Sequence, residues 1–442
     1  MIGKFISFVK TTIADIKGIL TSKENIKSLY GVSLYRNAIY LTINSATNAV
    51  GGFLFWIIAA KLYSTESIGL ASAAIAAIGL LSSISNMGLN YGLIRFLPSS
   101  EDKASEMVNS SLILSGIFAG VLALVFLAGL TLWSPALLPL RAHPLFMIAF
   151  VVITIAQNLY GIVQAVFIAM RRTGFDLSLS LIDNLLAFVP LAPLMIFTTM
   201  GIFVSWGIGP FVVAIVAIII FIPKVISDYR GLLIIKKRSI NPILKYSLVN
   251  FLSNQLQNAP NFIIPLMVVN LLGAKQNAYF YIGWIMGTTI FAIPGSIANS
   301  LFAEGANKEE ELNTQIKRSL KFLLILLIPV VIIILLIADK FLLLFGTAYS
   351  QNSAVLLRIL VISGIPGSIN YIYYAIKRVQ KKMKSVIIMT GFIGIATLVS
   401  SYLLLPSMGI NAVGIAWLGS QSIVALWIGI NYISANPAIK KR

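Results

Sequence analysis

Apolar runs of bilayer length follow one another along this chain, separated by short polar turns, from residue 35 almost to its end. A helix needs about 20 mostly apolar residues to cross the hydrocarbon core of a bilayer. On that measure the pattern predicts twelve spans, at 35–60, 68–94, 107–133, 144–170, 177–198, 203–223, 243–272, 277–302, 319–345, 353–376, 385–405 and 411–434. The expected fold class is an all-α polytopic membrane protein, with a seven-residue polar turn from Lys61 to Ser67 and a tight turn at 199–202. Ahead of the first span, Ile2, Phe5, Ile6, Val9, Ile13, Ile16 and Leu20 recur at helical spacing among Lys4, Lys10, Asp15 and Lys17. That spacing predicts an amphipathic segment over 1–34 lying in the membrane interface, and no signal peptide.

The longest turn, 224–242, is strongly basic and divides the spans six and six. It separates an N-terminal bundle over 35–223 from a C-terminal bundle over 243–434, and a basic tail occupies 435–442. The bundles repeat each other. Asn90 falls opposite Asn299, Ala169 before Arg171 and Arg172 matches Ala375 before Lys377 and Arg378, and Met200-Gly201-Ile202 matches Met408-Gly409-Ile410. The three offsets, 209, 206 and 208, agree within three residues. An even number of spans per half leaves both halves pointing the same way. They are then related by a pseudo-twofold axis along the membrane normal, with a transport site expected between them.

Composition agrees with this reading and narrows the partners. The 442 residues are 58% hydrophobic and 11% charged, with a mean hydropathy of +0.92, far from a soluble chain. The net charge of +19 comes from 33 Lys and Arg against 14 Asp and Glu. Of those cations, 28 fall in the segments on one side of the predicted spans, four on the other, and Arg358 within span ten. The bias places both termini in the cytoplasm and the chain in a cell membrane, facing anionic lipids rather than nucleic acid. There is no cysteine and a single histidine, His143, which excludes thiol chemistry and argues against a histidine-built metal site. No cofactor is expected. No GxxxxGK[ST] loop is present, so the chain has no phosphate-binding loop of its own. No long external loop stands ready to form the catalytic domain of a membrane glycosyltransferase.

Candidate chemistry therefore lies in polar residues within the spans. Asn44 and Asn48 sit one turn apart in span one, near Arg36, and Asn90 and Arg95 close span two. In span seven, Asn250, Asn254, Gln257 and Asn261 fall at i, i+4, i+7 and i+11, a polar stripe costly against lipid and suited to the wall of a wet cavity. Interhelical hydrogen bonding is the simpler alternative for any one of these amides. Asn299 is the counterpart of Asn90 in span eight, and Asp183 and Arg358 are charges inside spans five and ten. Pairing with a neighbouring cation would explain Asp183, and snorkelling to a surface would explain Arg358 and Arg95.

The stretch GFLFWIIAAKLYSTESIGLASA, followed by SNMGLNYGLIRFLP, resembles the opening of Wzx-type polysaccharide flippases. These belong to the multidrug/oligosaccharidyl-lipid/polysaccharide exporter superfamily. The resemblance implies a MATE-like fold, with two bundles around a cleft lined by spans one, two, seven and eight. It also implies alternating-access transfer of a polyprenyl-phosphate- or diphosphate-linked oligosaccharide to the outer leaflet. Under it Arg36 and Arg95 recruit the phosphate, span-one and span-seven amides take sugar hydroxyls, and Arg358 receives the headgroup. Glycan polymerase or transferase partners and a coupling ion are compatible with the same reading. A cation-coupled multidrug extruder is the main alternative, and it would look to Asp183 for its carboxylate. A noncatalytic scaffold in a glycan-assembly complex is the third.

Overall fold

The computed structural model describes residues 33–226, 229–231, 235–307 and 312–435. The interfacial segment expected over 1–34 lies, but for its last two residues, outside them, as do parts of the linker and the basic tail. Among the described residues the long elements are all helices. In the N-terminal half these are α1 (Ser33–Leu62), α2 (Thr65–Ser85), α3 (Leu89–Phe96), α4 (Ala104–Ala128), α5 (Pro144–Ala169), α6 (Thr173–Phe188) and α7 (Thr198–Val216). The C-terminal half holds α8 (Lys237–Leu272), α9 (Ala274–Thr288), α10 (Ala292–Asn307), α11 (Leu312–Leu342), α12 (Thr347–Ile362), α13 (Gly364–Val379), α14 (Met383–Met408) and α15 (Asn411–Ala435). Among the described residues, ten helical stretches are long and apolar enough to span a bilayer. The remaining two expected spans correspond to α6, which has 16 residues, and to α8, whose 36 residues carry the amide stripe.

The structure corrects several boundaries. Helix α1 runs through Lys61, so the first turn shortens to Tyr63 and Ser64, where Ser64 accepts from the Ser67 N–H at 3.2 Å as a helix cap. Span two is broken at Met87 and Gly88, both with positive φ (49° and 72°). A Cβ on Gly88 would stand 2.7 Å from the Ser247 carbonyl oxygen, so glycine serves both the backbone angle and the close approach of α8. The turn expected at 199–202 lies earlier. Val189 to Phe197, with Pro190 and Pro193, form it, and Met200-Gly201-Ile202 are already helical. A proline cannot continue a helix's hydrogen-bond ladder, which ends α6 sooner than hydropathy suggests. Helix α8 begins at Lys237 rather than 243.

The repeat is visible in local geometry. Helix α5 ends with Arg171 at φ 54° and α13 ends with Lys381 at φ 57°. Each end closes with the same pair of backbone bonds, Arg171 N to Ile168 O and Arg172 N to Phe167 O, then Lys381 N to Arg378 O and Lys382 N to Lys377 O. That is a left-handed C-terminal cap of one geometry made twice, at an offset of 210, so Arg171 and Arg172 correspond to Lys381 and Lys382 and not to Lys377 and Arg378 as the sequence match at 206 had it.

Helix α2 holds the centre. Within its most apolar stretch 72% of its residues are buried, against 17% for α11. Ala71, Ala73, Ala74, Ala76 and Ala77 are at most 5% exposed, because side chains this small let neighbouring helices approach closely. Across the halves, α2 packs on α8 and α9. Tyr229, Arg230 and Lys236 fasten onto α4. Asn109 Nδ2 donates to Arg230 O at 2.6 Å, Tyr229 donates to Asn109 Oδ1 at 2.6 Å, and Lys236 pairs with Glu106 at 3.2 Å.

Candidate functional site

A cavity of about 510 Å³ lies between the halves. Its walls are α2, the break after it, α3, α5 and α7 on one side and α8 and α9 on the other. The N-terminal half contributes Ser83, Asn86, Asn90, Tyr91, Gln157 and Trp206, and the C-terminal half Asn254, Gln255, Asn261, Trp284 and Thr288. The lining holds amides, hydroxyls and aromatic rings but no charged side chain. Each half adds a side cavity. The N-terminal one, about 170 Å³, is lined by Asn48, Asp183 and Asn184 and shares Gln157 and Trp206 with the central space. The C-terminal one, about 230 Å³, includes Gln257, Asn258 and Gln421 and shares Asn261 and Thr288.

The two ends of the cavity differ. At the end bearing the turn after α1, Asn277 is wholly buried and donates to Gly69 O at 2.8 Å and Ser72 Oγ at 3.1 Å. Trp56 packs edge-on against Tyr281, with centroids 4.9 Å apart, and Phe53 meets Phe341 and Phe345. Asn270 accepts from the Ala136 N–H at 3.0 Å and donates to Trp133 O at 3.1 Å. At the linker end the cross-half contacts run from α2 and α3 to α8. Asn254 donates to the Tyr91 hydroxyl, Gln255 Nε2 donates to Ser83 Oγ at 2.7 Å, and Gly92 lies against Ile243.

The span-one asparagines are partly spent on structure. Asn44, 6% exposed, donates to Asp176 Oδ2 at 2.7 Å; Asn48 donates to Asn44 Oδ1 at 3.4 Å; Asn184 donates to Asn48 Oδ1 at 3.1 Å. This chain of amides ties α1 to α6. Asn44 faces a carboxylate of its own half, and Asn48 reaches the side cavity. Asp183 lies against Gly209, where a Cβ would stand 2.1 Å from its Oδ1.

The span-seven stripe divides in the same way. Asn254 lines the central cavity, Gln257 the C-terminal side cavity, and Asn261 both; the side chain of Asn250 is outside the described residues. Asn90 lines the central cavity, whereas its repeat partner Asn299 is exposed on α10 and lines none of the three. Arg95, exposed, follows Tyr91 by one turn at the linker end of α3, and Arg36 is half-buried at the start of α1. Neither lines the central cavity.

Arg358 is placed elsewhere. Its Nη2 pairs with Asp339 Oδ2 at 2.6 Å and its Nε donates to Leu335 O at 3.1 Å, joining α12 to α11 away from the cavities. Asp339, at the far end of span nine, is the partner that hydropathy did not point to.

Three side chains were overlooked in the sequence. Asp176 is 2% exposed and lies seven residues before Asp183, two turns along one face of α6. Gln157, in the middle of apolar span four, lines both the central and N-terminal cavities. Trp284 donates its Nε1 to Asn261 Oδ1 at 3.1 Å and holds that amide in place. Amides in an apolar span, Gln157 beside Asn158 and Gln164, and a carboxylate at i−7 were available signals; the Trp284 contact was not.

Comparison with known proteins follows the geometry. The family described as "Polysaccharide biosynthesis protein" matches residues 34–302, and the MatE family matches residues 250–403. No curated protein matches significantly in sequence. Among solved structures, lipid II flippase MurJ in an inward closed conformation superposes with a TM-score of 0.71 at 14% identity, covering 89% of this chain and 87% of that one. An inward-facing multidrug resistance MATE family transporter of the MOP superfamily gives 0.65 at 16% identity, over 89% and 99%. A MOP superfamily transporter from Pyrococcus furiosus gives 0.60 at 16% identity, over 91% and 96%. At these identities the likeness is one of fold.

Proposed function

The chain belongs to the polysaccharide biosynthesis protein family, and on that premise we propose that it flips a lipid-linked oligosaccharide from the cytoplasmic to the outer leaflet of a cell membrane. The observation that carries this reading is the uncharged cavity between the halves, with amides and hydroxyls in its lining. Such a cavity offers donors and acceptors for sugar hydroxyls in a region where lipid offers none. Taking the basic linker side as cytoplasmic, the dry contacts around Asn277 close the outer end. Arg36 and Arg95 then stand at the cytoplasmic mouth, where a guanidinium fork suits a phosphate or diphosphate. The polyprenyl tail stays in lipid while the sugars cross. An inside-negative potential favours outward movement of an anion by about 2.3 kcal/mol per charge per 100 mV. Asn90, Asn254 and Asn261 are the amides assigned to the cargo; Arg358, committed to Asp339, is assigned to structure.

Depletion of the protein followed by leaflet mapping of lipid-linked oligosaccharide tests the proposal. Accumulation on the cytoplasmic side is expected, and an unchanged distribution would refute it. A second reading, extrusion of organic cations, is favoured by one observation: Asp176 and Asp183 on one face of α6, the latter in a side cavity with Trp206 and Phe55. Flux of a labelled organic cation in proteoliposomes separates the two. Glycan polymerases or transferases are the partners that would supply or consume the cargo.

A further inference from the structure

The geometry points to the C-terminal side cavity as a subsite for one uncharged sugar unit of the cargo, an inference that rests on the flippase reading above. The repeat makes the case. Asn48 donates to Asn44 Oδ1 in α1, and Asn258 donates to Asn254 Oδ1 in α8 at 2.6 Å, the same contact displaced by 210 residues. At that offset Ser180 becomes Thr390, but Asp176 becomes Val386 and Asp183 becomes Ile393. The two side cavities thus occupy equivalent places in their halves, and the second contains no carboxylate. Among its lining residues none is charged. The aromatic side chains of Tyr371 and Trp417 stand in its wall together with the amides of Gln257 and Asn258.

Polar capacity is left over in that wall. The Tyr374 hydroxyl, on a residue 5% exposed, and the Trp417 indole N–H are buried without a hydrogen-bond partner. Asn258 spends its NH₂ on Asn254 and keeps its carbonyl oxygen; Asn261 spends its carbonyl oxygen on Trp284 and keeps its NH₂. A pyranose presents apolar C–H faces and a rim of hydroxyls that both donate and accept, which aromatic faces and amides complement. A phosphate finds no cation here, and an organic cation finds no counter-charge. The cavity's roughly 230 Å³ has room for a single ring, and Asn261 and Thr288 border both it and the central space. One sugar can occupy it while the rest of the glycan remains between the halves.

The test uses the full chain in lipid nanodiscs and calorimetric titration. The probes are citronellyl diphosphate, the same diphosphate carrying glucose, galactose, N-acetylglucosamine or N-acetylgalactosamine, and tetraphenylphosphonium. At least one sugar conjugate is expected to bind about tenfold more tightly than the sugar-free diphosphate. Tyr374→Phe, which keeps the ring, should remove about fivefold of that increment, and Trp417→Leu nearly all of it, with sugar-free binding and melting temperature unchanged for Tyr374→Phe. If the diphosphate binds and no conjugate exceeds it, or if the increment survives both substitutions, the subsite is refuted and the flippase reading stands. If no diphosphate probe binds, both fail. Tetraphenylphosphonium binding that Trp417→Leu abolishes, without any sugar increment, would reassign the cavity to an organic cation and overturn the inference.

Discussion

In the orientation proposed above, closure of the outer end depends on the absence of a side chain at Gly69. A Cβ there would stand 1.7 Å from the carbonyl oxygen of Ala274, a backbone atom that cannot rotate away. In Gly69→Ala the two halves must therefore separate locally by roughly 1 Å or more, since packed interiors do not absorb such overlap. Asn277 then loses its hydrogen bonds to Gly69 O (2.8 Å) and Ser72 Oγ (3.1 Å) while wholly buried. Unmaking two buried bonds costs about 3 kcal/mol in all. If the closed and open states are in equilibrium, that cost shifts their ratio about a hundredfold toward opening. The chain has no cysteine, so a single introduced Ala73→Cys reports without background. Ala73 is 0% exposed and lies one turn from Gly69 on the same face of α2. In the parent it should resist a membrane-impermeant maleimide applied from outside, and in Gly69→Ala it should label and transport should fall. Gly429→Ala, where a Cβ would meet nothing within 4 Å, serves as the control. Protection of Ala73→Cys together with full transport in Gly69→Ala would refute the assignment of this seam as the closed outer gate.

Arg358→Ala should leave flipping intact and cost at most about 1 kcal/mol, given a partly exposed ion pair, and Asp339→Ala should match it in thermal melts; a transport defect confined to Arg358→Ala would return that residue to the cargo path. Asp176→Leu should destabilise the N-terminal half by about 2 kcal/mol, because Asn44 loses a buried acceptor, while Asp176→Asn retains most of the stability. Equal melting of the two variants would count against the amide chain. Charge reversal in Arg95→Glu, at preserved protein level, should stop translocation by repelling the phosphate at the mouth; unchanged flipping would remove its proposed role. Gly88→Ala should lower the melting temperature, with about 1–2 kcal/mol lost to the left-handed backbone and more to the contact with Ser247 O.

Hydropathy found nearly all the spans because burying apolar length in lipid is a property of each helix taken alone. It misplaced the turn before α7 and missed the break at Met87 and Gly88. Those features depend on proline and glycine geometry and on the close approach of α8, which leave little mark on an averaged pattern. The amides at Asn48, Asn254, Gln257 and Asn261 were legible as polar groups lipid would reject, and the structure sets them on cavity walls. The same logic could not tell Asn44 from Asn48 on one face of α1, although one is spent on Asp176 and the other borders a cavity.

By itself, then, the sequence determined the helices, the two halves and their repeat, and the presence of amides in the region between them. These follow from composition and spacing, which act locally. Which polar groups remain free for a ligand was decided by the tertiary structure. Arg358 met Asp339 across two helices, and Trp284 took one end of Asn261 and left the other. The divergence of the side cavities was written in the chain as Asp183 against Ile393. It acquired meaning only when folding placed both positions on equivalent helices, because a hydrogen bond's availability depends on neighbours that are distant in sequence.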